Sequence, residues 1–189
     1  MEIFTKHELL LRKKEIIKRI KDGQIFIYPT DTIYGIGCDA TNEDAVNKVR
    51  EIKRRQTSPF SIWIPSKKWF EENCVYNENQ KMILNEKLPG PVTFIVKLNN
   101  PSIIAKNVNP KDDTIGIRLS NHYLAEIFEE FGRPIVTTSA NKKGEQFMTD
   151  IDNLDPDIKD QVEFMIYDGK KEAKPSRLIN LVTDEVMDR

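Results

Sequence analysis

Apolar positions along this chain repeat with two different periods, and the two alternate. Leu9, Leu10, Ile16, Ile17 and Ile20 recur at helical spacing, and Asp22-Gly23 ends that helix. The apolar run 24–28 stops at Pro29 and reads as a buried strand. Thr41-Asn42 can cap a helix from about Glu43 to Ile52, with Ala45, Val46, Val49 and Ile52 on its inner face. After the Ser58-Pro59 break, the run 60–64 predicts a strand, and helical stretches follow at 66–73 and 77–86. Pro89-Gly90-Pro91 forces a turn before a strand over 92–97. A strand is expected at 114–119. Leu124, Ile127, Phe128 and Phe131 form the stripe of a helix closed by Gly132, and 134–138, 162–167 and 178–182 complete the strands. No repeat, low-complexity stretch or linker interrupts this alternation. The pattern predicts one mixed α/β domain over residues 1–189.

Composition narrows the class. A chain of 189 residues can bury roughly 70% of its unfolded surface, so it needs no disulfide or metal to fold. Its 31% charged and 39% hydrophobic content is too apolar for disorder. No apolar run exceeds four residues, at 25–28 and 164–167, which excludes a transmembrane helix or a signal-peptide core. A cytoplasmic protein with no membrane partner is expected. Twenty-nine basic against thirty acidic residues leave a formal charge of −1, which argues against coating nucleic acid with the whole surface and leaves room for a local basic patch. Cys38 and Cys74 lie in no CxxC pair, and His7 and His122 are the only histidines. Zinc ribbons, histidine metal sites and Ser-His-Asp triads lack their parts, and no metal-ligand set is expected.

Four segments carry candidate chemistry. The run 28–37, Tyr-Pro-Thr-Asp-Thr-Ile-Tyr-Gly-Ile-Gly, takes a buried strand into a turn dense with hydroxyls. Gly35-Ile36-Gly37-Cys38-Asp39-Ala40 matches a GxGxxG/A dinucleotide pattern but sits too far from the strand, lacks a prompt helix and has no acidic residue about 20 positions on. An ordinary turn satisfied by Thr and Asp is the alternative. The tract 48–55 holds Lys48, Arg50, Lys53, Arg54 and Arg55 against Glu51, and is either a solvated face or an anion site. Lys53 and Arg55 would lie about 200° apart on a continuing helix, so they meet one anion only if the helix stops between them. The strand 134–138 delivers Thr137, Thr138, Ser139 and Asn141 at its end, as ligand donors or as loop caps. Arg118 ends another strand, and Ser176 precedes the last. No Walker loop, HExxH or GxSxG is present. Cationic and hydroxyl groups without a nucleophile favour substrates that attack one another while the protein positions them and neutralises charge.

Taken together, these segments resemble the YrdC/TsaC family of L-threonylcarbamoyladenylate synthases. The matches are PTDTxYGxG at 29–37, KxR at 53–55, PGPxT at 89–93, GxR at 116–118 and TSAN at 138–141, in family order and spacing. The resemblance implies a twisted mixed β-sheet with flanking helices and a concave basic cleft. It implies a transferase joining L-threonine, bicarbonate or CO2, and ATP into threonylcarbamoyl-AMP and pyrophosphate, with Mg²⁺ bridging the phosphates. A transferase machinery would then pass the product to tRNA as t6A at adenosine 37, and weak tRNA binding is in keeping with that role. By position, Lys53, Arg55, Ser139 and Asn141 match the KxR/SxN signature and Thr32 and Arg118 the threonine contacts. Trp63 falls beside the threonine pocket, where relatives often carry a smaller or imidazole side chain. Ser58, Thr114, Thr149, Ser176 and Arg189 fall at nucleotide contacts, together with Lys53, Arg55 and Asn141. Ser58 replaces the usual Lys or Asn, PSTxxD becomes Pro-Ser-Arg-Leu-Ile-Asn at 175–180, and Lys142-Lys143-Gly144 replaces the usual xSG. The chain is also too short for the second domain of longer relatives. Two other classes remain: a non-catalytic tRNA- or rRNA-binding module, and a carbamoyl-adenylate enzyme of hydrogenase maturation. The neutral charge disfavours the first and the lack of companion domains the second.

Overall fold

Strand β1 (Glu2–Thr5) opens the chain, and the helical spacing after it resolves into two helices, α1 (Lys6–Leu11) and α2 (Lys13–Lys21), rather than one. Thr5 caps α1 through a capping box with Glu8, and Arg12 leaves helical geometry at φ −105°, ψ 22°, between them. The structure is a computed structural model that describes residues 1–172, 175–183 and 185–187, with residues 186 and 187 described by backbone alone. Strand β2 (Phe26–Pro29) turns back into β3 (Tyr34–Gly37), with Tyr28 opposite Gly35. Helix α3 (Glu43–Ile52) runs over the expected residues, and Asn42 caps it by accepting the Ala45 N–H at 3.0 Å. Next come β4 (Ser61–Trp63), α4 (Lys67–Asn73), β5 (Cys74–Val75) and α5 (Glu78–Lys87). The second half supplies β6 (Val92–Leu98), β7 (Thr114–Arg118), α6 (Leu124–Phe131), β8 (Ile135–Ser139), α7 (Pro156–Gln161), β9 (Phe164–Tyr167), β10 (Arg177–Asn180) and β11 (Glu185–Met187).

The strands join in the order β1-β9-β2-β3-β8-β4-β7-β6-β10-β11, with β5 beside β6. Pairing is mixed. β1, β9 and β2 run parallel, as do β4 with β7 and β6 with β10, and the remaining neighbours are antiparallel. Strand β3 differs from the sequence reading, which took 29–37 as a turn. A strand only four residues long and buried on both faces has no alternation to betray it. Its glycines have a packing reason: a Cβ on Gly37 would stand 2.6 Å from the Tyr28 ring and 2.8 Å from the Val136 carbonyl.

An aromatic stack anchors the middle of the sheet. Trp63 lies 5.1 Å from Phe128 and 6.0 Å from Tyr28, centroid to centroid, and Tyr28 lies 5.2 Å from Phe26. All four are fully buried, and each such side chain stabilises the fold by roughly 1.5–3 kcal/mol. This block fixes β2, β4 and α6 together, and the polar residues that end the strands gather on that support.

Candidate active site

One cavity of about 380 Å³ opens across the centre of the sheet. The β2–β3 turn contributes Thr30 and Thr32, β8 contributes Thr137 to Ser139, β7 contributes Arg118, and Thr93 and Ser176 close the far side. Arg55, Pro59 and Phe60 line it from the segment after α3. Strands far apart in sequence meet here because Thr137 and Gly116 both pair with Ser61 at the start of β4.

The turn is built around Thr30. Its Oγ1 donates to the Ile33 carbonyl at 2.8 Å, receives the Thr32 N–H at 3.0 Å and lies 2.9 Å from Thr32 Oγ1. Thr32 is thereby held with its hydroxyl on Arg118, whose Nη2 donates to it at 2.9 Å. The same Nη2 pairs with Asp31; the Arg118 side chain is buried and that of Asp31 partly so. Arg118 Nε and Asp31 Oδ2 have no partner, so the pair spends only part of its bonding capacity.

On the opposite wall, α3 ends at Ile52. Lys53 is its C-cap and Arg54 takes a left-handed φ of 50°. Arg54 N–H donates to Glu51 O at 2.9 Å and Arg55 N–H to Arg50 O at 3.0 Å, which is a Schellman closure with arginine in the place glycine usually takes. The tract is therefore not one face. Lys48 and Arg54 are exposed, Arg50 and Lys53 are buried, and Arg55 is half-buried on the cavity. Lys53 Nζ donates to the carbonyls of Ser139 at 2.5 Å and Asn141 at 2.6 Å and to Asn141 Oδ1 at 3.3 Å. Ser139 Oγ in turn donates to Asn141 Oδ1 at 2.5 Å. Burial, assisted by the Arg55 guanidinium, pulls the Lys53 ammonium down to about 7. Arg55 Nη2 donates to Pro59 O at 2.7 Å, and its guanidinium stands 5.3 Å over the Phe60 ring.

Thr32, Arg55, Arg118, Ser139 and Ser176 thus line one cavity, with Lys53 and Asn141 directly behind Ser139. Ser176 Oγ lies 2.9 Å from Thr93 Oγ1. Thr114 lines a neighbouring cavity of about 220 Å³, which shares Arg55, Pro59, Phe60 and Ser61 with the first. Ser58 lies outside the main lining and offers its carbonyl to Arg50. Thr149 also lies outside it, bonded to Asn153 through its N–H at 3.0 Å and its hydroxyl at 3.1 Å. Trp63 is fully buried in the aromatic block and is absent from the cavity wall. Arg189 lies outside the described residues. Asp31 and Arg50 are the polar groups whose place the sequence reading missed. Among the described residues, no three His, Cys, Asp or Glu side chains gather as a metal-ligand set, and no helix is long and apolar enough to cross a membrane.

Comparison with known proteins places the chain in a family. The sequence model of the Sua5/YciO/YrdC family, described as "Telomere recombination", matches residues 18–187, and the chain belongs to that family. A Methanocaldococcus jannaschii protein named "Putative threonylcarbamoyl-AMP synthase" is 39% identical over 174 residues, which is 90% of this chain and 80% of that one. A "Threonylcarbamoyl-AMP synthase" of Buchnera aphidicola is 29% identical over 90% of this chain and 92% of its own. The fold matches P. abyssi Sua5 complexed with L-threonine at a TM-score of 0.85 and 25% identity, covering 96% of this chain and 54% of that one. It matches E. coli YciO at 0.83 and 22% identity, covering 96% and 91%, a likeness of fold alone. The chain therefore spans about half of the Sua5 structure and most of the curated relatives.

Proposed function

We propose that this protein is a threonylcarbamoyl-AMP synthase. It condenses L-threonine, bicarbonate or CO2, and ATP into threonylcarbamoyl-AMP and pyrophosphate, and supplies t6A formation on tRNA through a separate transferase. The observation that carries this reading is the meeting, on one cavity, of a carboxylate-binding group and a polyanion-binding group. Thr32 and Arg118 form the first. Arg55 and Ser139 form the second, backed by Lys53 and Asn141 behind Ser139.

In this reading the threonine carboxylate docks on Arg118 and Thr32, where a guanidinium can grip it in two places. The deprotonated amine attacks CO2, or bicarbonate with loss of water, and becomes a carbamate. The carbamate oxygen then attacks the α-phosphorus of ATP, and pyrophosphate leaves. Negative charge grows on phosphoryl oxygens and leaving group, and Arg55 and the Lys53 ammonium stabilise it. Ser139 and Asn141 hold Lys53 in place through neutral acceptors that leave its charge available to the ligand. Thr114 and Ser176 serve the nucleotide from either side of Phe60. Mg²⁺ would arrive with the ATP phosphates and supply charge neutralisation there, as the family resemblance implies.

The deciding experiment measures pyrophosphate release with threonine and bicarbonate supplied together and singly. Release that requires both is expected. Release indifferent to threonine overturns the proposal, and release that needs carbamoyl phosphate instead points to the hydrogenase-maturation type of chemistry.

A further inference from the structure

Arg50 sits in the last turn of α3 and is only 4% exposed. A buried guanidinium commonly has a carboxylate against it, yet no carboxylate among the described residues pairs with this one. Among the described residues, its side-chain hydrogen bonds all go to main-chain carbonyls. Nε donates to Asn107 O at 2.7 Å, Nη2 to Val108 O at 3.2 Å, and Nη1 to Arg55 O at 2.9 Å, Gln56 O at 3.0 Å and Ser58 O at 3.2 Å. Its own carbonyl accepts the Arg55 N–H at 3.0 Å. Both peptide groups flanking the Arg55 side chain are therefore tied to a single residue. The two guanidiniums also share one ring, Arg50 at 4.5 Å and Arg55 at 5.3 Å from the Phe60 centroid.

We propose that Arg50 is the positioning residue of the anion site: it holds the backbone of 55–58 against the turn at 107–108 and so aims the Arg55 guanidinium into the cavity. The chemistry suits arginine and not lysine. A guanidinium offers five N–H donors in a fixed fork, enough to gather carbonyls from two separate loops, whereas an ammonium offers three on a flexible stem. Neutral acceptors also leave the positive charge of Arg50 uncancelled beneath the segment that would meet the phosphates. The helix ends at 52 and β4 begins at 61, so the stretch between them is held by hydrogen bonds outside regular structure, and Arg50 supplies three of these, to the carbonyls of 55, 56 and 58.

The inference rests on the proposed reaction for its kinetic readout, and a second readout is independent of it. Arg50→Lys, Arg55→Lys and the double variant are compared by kcat, by KM for ATP and for threonine, by melting temperature, and by amide hydrogen exchange over 55–60. A displacement of about 1 Å in a catalytic group lowers turnover on the order of 10²-fold. Arg50→Lys is expected to lower kcat by about 10–10²-fold with the threonine KM unchanged, to speed exchange over 55–60, and to leave exchange in β2, β4 and β8 as in wild type. The double variant should be no slower than Arg55→Lys alone, because Arg50 acts through Arg55. Losses that multiply in the double variant, or unchanged exchange over 55–60, overturn the proposal. Should Arg50→Lys fail to fold, Arg50→Met, which keeps the buried stem, gives the same readouts. Should wild type release no pyrophosphate with threonine, the functional reading fails while faster exchange over 55–60 still supports the positioning role.

Discussion

The two walls of the cavity manage positive charge in opposite ways. On the β2–β3 side, Arg118 is neutralised within the protein by Asp31 and steadied by Thr32. On the α3 side, Lys53 and Arg50 are held by main-chain carbonyls and the Asn141 amide oxygen, none of which carries a charge. A ligand carboxylate arriving at Arg118 must share the guanidinium with Asp31 or displace it, which suits a small substrate bound weakly and selectively. In the proposed reaction a polyphosphate would meet this wall, where no carboxylate among the described residues pairs with Lys53 or Arg50. Under the proposed function, the difference would separate specificity from charge stabilisation.

Breaking the α3 wall should therefore cost the most activity. Arg55→Lys keeps the charge but loses the fork, and removal of one such contact from a water-poor site raises the barrier by roughly 2.7–4 kcal/mol, or about 10²–10³ in kcat. The melting temperature should barely move, and a kcat within tenfold of wild type would place Arg55 outside the chemistry. Breaking the other wall should act on stability and on threonine. Asp31→Asn leaves the buried Arg118 without its counter-charge, and because Asp31 is only partly buried the loss should fall below the roughly 3–5 kcal/mol of a fully buried pair. Threonine brings a replacement carboxylate, so it should raise the melting temperature further in Asp31→Asn than in wild type. An equal shift in both, measured by calorimetry, would show that Asp31 and the substrate do not share Arg118.

What was legible in the sequence follows the same division. Helix α3, its Asn42 cap and the strands β6 and β8 were readable because local periodicity and capping chemistry determine them. The requirement that the helix end between Lys53 and Arg55 was readable from the 100° step of a helix. How it ends was not, since nothing local marks arginine for a left-handed position that glycine usually fills. Arg50 and Arg54 look alike in a basic tract, and only the docking of α3 against 107–108 buries one and exposes the other. Asp31 was legible as a turn residue, but Arg118 lies 87 positions away and reaches it only through the sheet order. Trp63 pairs with Arg118 across β4 and β7, but that its ring packs on Tyr28 and Phe128 was not legible. Side-chain facing in a three-residue strand is set by its neighbours.

Titration sharpens the comparison with a smaller effect. Lys53 ionises near 7 in the folded, ligand-free protein against an ordinary value of 10.5. Between those values the unfolded chain binds the extra proton, so this group makes the folded state more stable as pH rises through that window. ATP binding runs the other way, because the polyanion needs the ammonium and itself raises its pKa. Affinity should fall above about pH 7, by at most roughly tenfold per pH unit, while threonine binding at Arg118 stays level. Calorimetric titration of ATP at several pH values checks this, and Lys53→Arg should flatten the profile. A wild-type profile already flat would remove Lys53 from the phosphate contacts.

The smallest effect concerns Arg54, which shapes the α3 wall without belonging to it. Its side chain is 73% exposed, and its ion pair with Asp157, at 3.6 Å, is worth little in open solvent. Its left-handed φ of 50° costs about 1–2 kcal/mol for a residue with a Cβ. Glycine removes that strain but adds freedom to the unfolded chain, a loss of roughly 0.5–1 kcal/mol. Arg54→Gly should therefore be neutral to stabilising by up to about 1.5 kcal/mol, with kcat unchanged, because the Schellman bonds that splay Lys53 from Arg55 are main-chain bonds. Arg54→Val should go the other way, since a β-branched residue resists this conformation most. Melting temperatures for the two variants decide the sign. If Arg54→Gly lost activity as Arg55→Lys does, the charge at 54 would count among the site's cations, and the division of the tract into facing, buried and exposed members would fail.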